Sequence, residues 1–133
     1  MEEDKQKIEQ VLRSFFTEEM EWERLCDKEL LSEQERNQIV SNIFDKYITL
    51  KERKYGDPAI RSYGNDDIYN YDPEKEIIES IEIRGSKAIV TMTREEPFRE
   101  TFQYALRKTD KGWLIDSKKI YSTWEKKWKR GVI

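Results

Sequence analysis

The 133-residue chain has no histidine, a single cysteine and only five glycines, which are scattered. The absence of histidine removes both the commonest general base at neutral pH and the commonest metal ligand. Ser–His–Asp and Cys–His nucleophile systems are thereby excluded. One thiol, Cys26, permits no internal disulfide framework, and with no imidazole beside it a zinc site is not expected. It fits a reducing compartment, so a cytoplasmic protein is expected. Gly56, Gly64, Gly85, Gly112 and Gly131 stand too far apart to build a phosphate-cradling loop. Asp66, Asp67 and Asp72 do not follow calcium-loop spacing, so neither a metal nor a cofactor is expected. No run approaches the roughly 20 apolar residues that cross a bilayer. The opening "MEEDKQKIEQ" is acidic where a secretion signal starts positive. Neither export nor a membrane partner is expected.

What is present is patterned. Charged residues make up 40% of the chain and hydrophobic ones 36%, yet aromatics reach 12%, enough to build one core, so a single domain over 1–133 is expected. The net charge of −3 is unevenly spread: residues 1–35 hold 12 acids against 5 bases, and residues 107–133 hold 9 bases against 3 acids. The ending "WEKKWKR" has the lysines and tryptophans that suit phosphates and bases. An acidic overall balance repels polyanions, however, and such a tail can equally pack on the acidic helix of its own domain. Nucleic acid is therefore not the expected partner.

Ile8, Val11, Leu12, Phe15 and Phe16 recur at i, i+3, i+4, i+7 and i+8, with Trp22 and Cys26 continuing the stripe, which predicts a helix over about residues 3–27. "LLSEQE" restarts a helix: Ser32 caps it, Glu35 reaches back, and Leu31 is placed as a hydrophobic staple. Ile39, Val40, Ile43, Phe44 and Tyr47 are the buried face of this second helix, about residues 33–48, before Gly56 and Pro58 end helical structure. A loop is expected over 51–75. "EIIESIEIRGSKAIVTMTR" reads as a hairpin in which Gly85 supplies the positive φ of a type II′ turn. In "FRETFQYALRK", Phe98, Phe102, Tyr104 and Leu106 alternate with Arg99, Thr101, Gln103 and Arg107 as in a half-buried strand. "TDKGW" turns the chain into a fourth strand, in which Trp113 is expected in the core. The sheet is expected over about 76–121, followed by a charged tail, 122–133, whose Trp124 and Trp128 share a face if it is helical and are expected to dock on the domain.

Two helices followed by a meander of about four strands predict an α+β fold, with N-terminal helices packed on a curled antiparallel sheet. That order, with "GWLIDSKK" after a "TDKG" turn, resembles the nuclear transport factor 2-like fold, also called cystatin-like, over nearly the whole chain. "IFDKYITLKERKYG", then "YDPEKEIIESIEI", then the ending with "KKWKR", is similar to the immunity proteins of that fold found beside bacterial polymorphic toxins. The resemblance implies a conical sheet and a protein that binds and blocks a cognate toxin domain in the producing cell. It carries over no contact residues.

Candidate contact residues come from the segment "SYGNDDIYNYDPEKE". Tyrosine gives large contact area at small rotamer cost and is enriched where proteins recognise one another. Tyr63, Tyr69 and Tyr71, interleaved with Asp66, Asp67 and Asp72, would form an adhesive, negative surface suited to a basic partner such as a nuclease-like toxin. The competing reading folds the rings back as plugs over the open end of the sheet. A second hypothesis comes from Glu19, on the apolar face of the first helix. In a cone-shaped pocket it could act as a base beside Tyr104 or Tyr121, as in the steroid-isomerase-like relatives of the fold, making the chain a small-molecule-binding or isomerase-like domain. The plainer reading puts Glu19 near solvent or in a pair with Arg24 or Arg107. A third hypothesis is a homodimer through the outer sheet face. Of these, a non-catalytic binding protein is the leading expectation.

Overall fold

The computed structural model of the chain describes residues 2–49, 69–95, 99–131 and 133. Helix α1 (Glu2–Asp27) starts with Glu2, Glu3 and Asp4 in its first turn, where carboxylates meet the positive end of the helix dipole. Its apolar stripe is buried as the spacing predicts, with Ile8, Leu12, Phe15 and Phe16 wholly inside and Val11 at the margin. The helix ends on Glu29 at φ +56°, with the Leu30 amide donating to the Leu25 carbonyl, a left-handed stop usually taken by glycine.

Helix α2 (Glu33–Tyr47) opens on the predicted capping box. Ser32 Oγ accepts from the Glu35 amide at 3.1 Å, and Glu35 Oε1 accepts from the Ser32 amide at 3.0 Å. The Ser32 backbone and hydroxyl hold the Glu35 carboxyl below its usual value. Replacing Ser32 with alanine should cost about 1 kcal/mol of stability; an unchanged urea midpoint would refute that. Val40, Ile43 and Phe44 face the core. The two helices are joined where Trp22 Nε1 donates to the Arg36 carbonyl at 3.0 Å, and where Glu18 takes both Lys46 and the Tyr47 hydroxyl. At its C-terminus α2 gives way to extended backbone: Ile48 bridges Ile115, and Thr49 donates through its amide to the Ile115 carbonyl and through its hydroxyl to Asp116.

Among the described residues the sheet has five strands, one more than the sequence suggests: β1 (Glu76–Arg84), β2 (Lys87–Arg94), β3 (Glu100–Thr109), β4 (Gly112–Ser122) and β5 (Lys127–Arg130). They are antiparallel and in chain order. The fifth lies in the predicted charged tail. A turn over residues 123–126, with Lys126 at φ +56°, reverses the chain so that Trp128 pairs with Tyr121. The Trp124 and Trp128 spacing suggests a helix because three charged residues mask a strand pattern only four residues long, and Trp124, expected to dock on the domain, is exposed at the turn. Gly85 takes φ +61° at the β1–β2 turn and Gly112 φ +96° at the β3–β4 turn, as their places in the sequence require.

Ala88, Val90, Met92, Phe102, Tyr104, Leu106, Trp113 and Ile115 form the inner face, on which the helices pack. Trp113 is in the core, and its Nε1 donates to Asp4 on α1 at 3.1 Å. Phe98 lies outside the described residues. Register shifts between Ile78 and Ser80, and between Ala105 and Leu106, mark bulges that bend the strands around the helices.

Candidate functional site

The second bulge decides what fills the middle of the cone. From Trp113 and Ile115, strict alternation would turn Ser117 and Lys119 inward. The extra residue opposite Ala105–Leu106 reverses that phase, so Lys118 points in and Lys119 out. The Lys118 ammonium lies 4.5 Å from the Phe102 ring centre, 4.9 Å from Tyr71 and 5.5 Å from Tyr104. Aromatic faces attract a cation most strongly where water is scarce.

Buried acids converge on the same region from other elements. Glu19, on α1, is wholly buried, and one turn later Glu23 is buried too. The solvent-facing reading of Glu19 therefore does not hold, and Arg24 is engaged by Glu21 at 3.0 Å. Glu23 escaped the sequence reading, although its i+4 spacing from Glu19 puts it on the same stripe. Its carboxylate accepts from the amides of Asn70 at 2.7 Å and Tyr71 at 3.0 Å. Arg94 of β2 donates to the Asn70 carbonyl at 3.0 Å. Arg13 of α1 donates to the carbonyls of Pro73 at 2.7 Å and Glu76 at 3.1 Å.

The segment fastens itself as well. Glu76 Oε2 accepts from the Asp72 amide at 2.9 Å, and Asp72 Oδ1 accepts from the Glu74 amide at 3.0 Å. Residues 69–76, the end of the tyrosine-rich stretch, are thus held at backbone level by Arg13, Glu23, Glu76 and Arg94. Burial pushes the Glu76 carboxyl up to about 7, against the downward pull of the Asp72 amide, Lys118 and Arg94. Burial likewise pushes the Cys26 thiol up to about 11, so it remains protonated at neutral pH.

The predicted contact residues divide. Tyr63, Asp66 and Asp67 lie outside the described residues. Tyr69 and Tyr71 are each only 3% exposed, and Asp72 is 9% exposed. Tyr71 stacks on Phe16 with ring centres 5.7 Å apart and meets Phe15 edge-on at 5.1 Å. Tyr69 donates to Asp27 at 3.2 Å. Tyr71 thus plugs the interior, because the aromatic faces of Phe15 and Phe16 supply more apolar contact than water offers, while Tyr69 is buried beside Asp27.

Of the two tyrosines considered as donors beside Glu19, Tyr104 is buried with its ring centre 5.6 Å from that of Phe16, whereas Tyr121 faces outward against Trp128 and does not fill that role. Among the described residues no group of three acidic or thiol side chains could hold a metal ion, and no helix is long and apolar enough to cross a membrane.

Comparison with known proteins agrees with the fold. The immunity protein RhsIA of Dickeya dadantii (strain 3937) is 27% identical over 128 residues, covering 92% of this chain and 93% of that protein. No solved structure matches the chain. Residues 7–131 match the NTF2 fold immunity protein family as a whole, helices and sheet included. The chain belongs to the NTF2 fold immunity proteins, and its function is toxin-neutralising immunity.

Proposed function

We propose that the chain neutralises its cognate toxin domain by covering the toxin's working surface in the cytoplasm of the producing cell, without turning over a substrate. The observation that carries this reading is the clamp on residues 69–76, in which the buried Glu23 and Arg94 and the half-buried Arg13 spend their hydrogen bonds on the backbone of one segment. Such expenditure makes sense where a segment must keep one position for a partner, because preorganisation lowers the entropy lost on binding.

Tyr63, Asp66 and Asp67 supply the proposed contact surface, and Tyr69, Tyr71 and Asp72 form its foundation. The acids suit a toxin with a basic, phosphate-binding groove, as in a nuclease. Replacing Asp66 and Asp67 together with lysine should weaken the complex by on the order of tenfold or more, largely through slower association. Unchanged affinity would remove this stretch from the interface. The non-catalytic half of the proposal fails if the isolated chain turns over a metabolite and Glu19→Gln abolishes that activity.

A further inference from the structure

The clamp and the acidic stretch leave a prominent surface of the described residues unaccounted for. Trp124 is 93% exposed at the tip of the β4–β5 hairpin. The tip is not a loose end. Ser122 Oγ accepts from the Glu125 amide at 3.1 Å, Glu125 pairs with Lys129, and Trp128 meets Tyr121 edge-on with ring centres 5.3 Å apart. All four residues of β5 are exposed, and β5 is the edge of the sheet; among the described residues nothing pairs with its far side.

Two features of this edge pull in opposite directions. Lysines and arginine on an edge strand oppose pairing with another copy, since a β5–β5 contact would set Lys127, Lys129 and Arg130 against themselves. A large aromatic ring held out in water does the reverse, because tryptophan is enriched among the residues that anchor protein interfaces. Protection against aggregation explains the charges and leaves Trp124 unexplained. A partner of opposite charge explains both.

We propose that the β4–β5 hairpin is a second docking surface for the toxin domain. An acidic, extended segment of the toxin adds to the sheet beside β5, and Trp124 enters a pocket next to that segment. The inference rests on the immunity reading above. The backbone of an unpaired edge strand offers a row of donors and acceptors to a peptide, while carboxylates on that peptide meet Lys127, Lys129 and Arg130. A nucleic acid strand fits less well, since it needs successive free rings and Trp128 is already covered on one side by Tyr121.

The test uses the 133-residue chain and its cognate toxin domain in an inactivated form. Trp124→Ala should leave the melting temperature unchanged, since the ring touches little, and should weaken the complex at least tenfold. Lys127→Glu combined with Lys129→Glu should slow association at low salt, with the difference shrinking at high salt. Amides of Lys127–Arg130 should gain protection from hydrogen exchange in the complex. Wild-type affinity in both variants, with unprotected β5 amides, overturns this inference and leaves the immunity reading standing. Failure of the wild-type chain to bind that domain at all overturns both. Trp124-dependent binding of single-stranded RNA, or Trp124-dependent self-association of the free chain, would assign the surface to another occupant and overturn the inference.

Discussion

Glu23→Ala is expected to lower stability by about 3 kcal/mol, and to do so through a segment 47 residues away in the chain. The carboxylate accepts from two amides, those of Asn70 and Tyr71, at 2.7 and 3.0 Å, and Glu23 itself is only 1% exposed. Each charge-assisted bond of this kind is stronger than a neutral one. Alanine would leave two amide donors without this acceptor in a place with little water, at roughly 1–3 kcal/mol for each. The relief of no longer burying a charge offsets part of that sum. Glu23→Gln separates charge from geometry: its single oxygen serves one amide, while its NH2 group opposes the other, so an intermediate loss is expected. Urea unfolding measures both, and hydrogen exchange at Asn70 and Tyr71 should accelerate more than exchange in β3. An alanine variant with the wild-type midpoint would show that the segment is held by its ring contacts alone. If the segment also positions the toxin contacts, the same variant should bind the toxin domain more weakly than its stability loss explains.

The parts of the fold that were legible in the sequence are those in which a local rule and the tertiary environment agree. Ser32 and Glu35 satisfy each other within four residues, so the start of α2 was fixed before any packing was known. Phe102, Tyr104 and Leu106 alternate without interruption and face inward as predicted. Legibility failed where one residue of slippage matters. The bulge opposite Ala105–Leu106 leaves no local mark in "LIDSKKIY", yet it turns Lys118 into the cone and Tyr121 out of it. It failed again at β5, where pairing with β4 outweighs the weak strand preference of "KWKR".

The segment around Tyr71 shows the same limit in another form. Composition marked it as a surface suited to recognition, and no periodicity within it could reveal that Phe15, Phe16 and Lys118, from two distant elements, would close around one of its rings. Glu19 is out of place on an apolar stripe, and its companion Glu23 obeys the same spacing. What the sequence could not supply was the partner, since the amides of Asn70 and Tyr71 become acceptor-seeking only after the segment has folded over α1.

Glu76 should make the protein lose stability as the pH rises from about 4.5 to about 7. Its carboxyl titrates near 4.5 when exposed and is pushed up to about 7 in the fold, chiefly by burial, with the neighbouring charge of Asp72 adding to the rise. In that window the folded state holds a proton that the unfolded chain does not, so unfolding releases it and the unfolding free energy falls with increasing pH. The full span is worth about 3 kcal/mol at most. Asp4 and Glu35 act in the opposite sense and in a different window. Their carboxyls are held below the usual range by Trp113 with Lys108 and by Ser32, respectively, so their contribution is lost only as the pH falls further. For these three groups the two slopes oppose each other and meet between their windows. Glu76→Gln keeps an acceptor for the Asp72 amide and removes the charge, so it should flatten the decline between pH 5 and 7.5 and leave the variant more stable than wild type at pH 7.5. The gain falls short of the full span because Lys118 and Arg94 lose an attractive neighbour. Chemical denaturation at pH 5, 6 and 7.5 decides it: a wild-type unfolding free energy that is level across that series, or that rises with pH, would mean that Glu76 is already ionised in the fold and that the charges around it outweigh its burial.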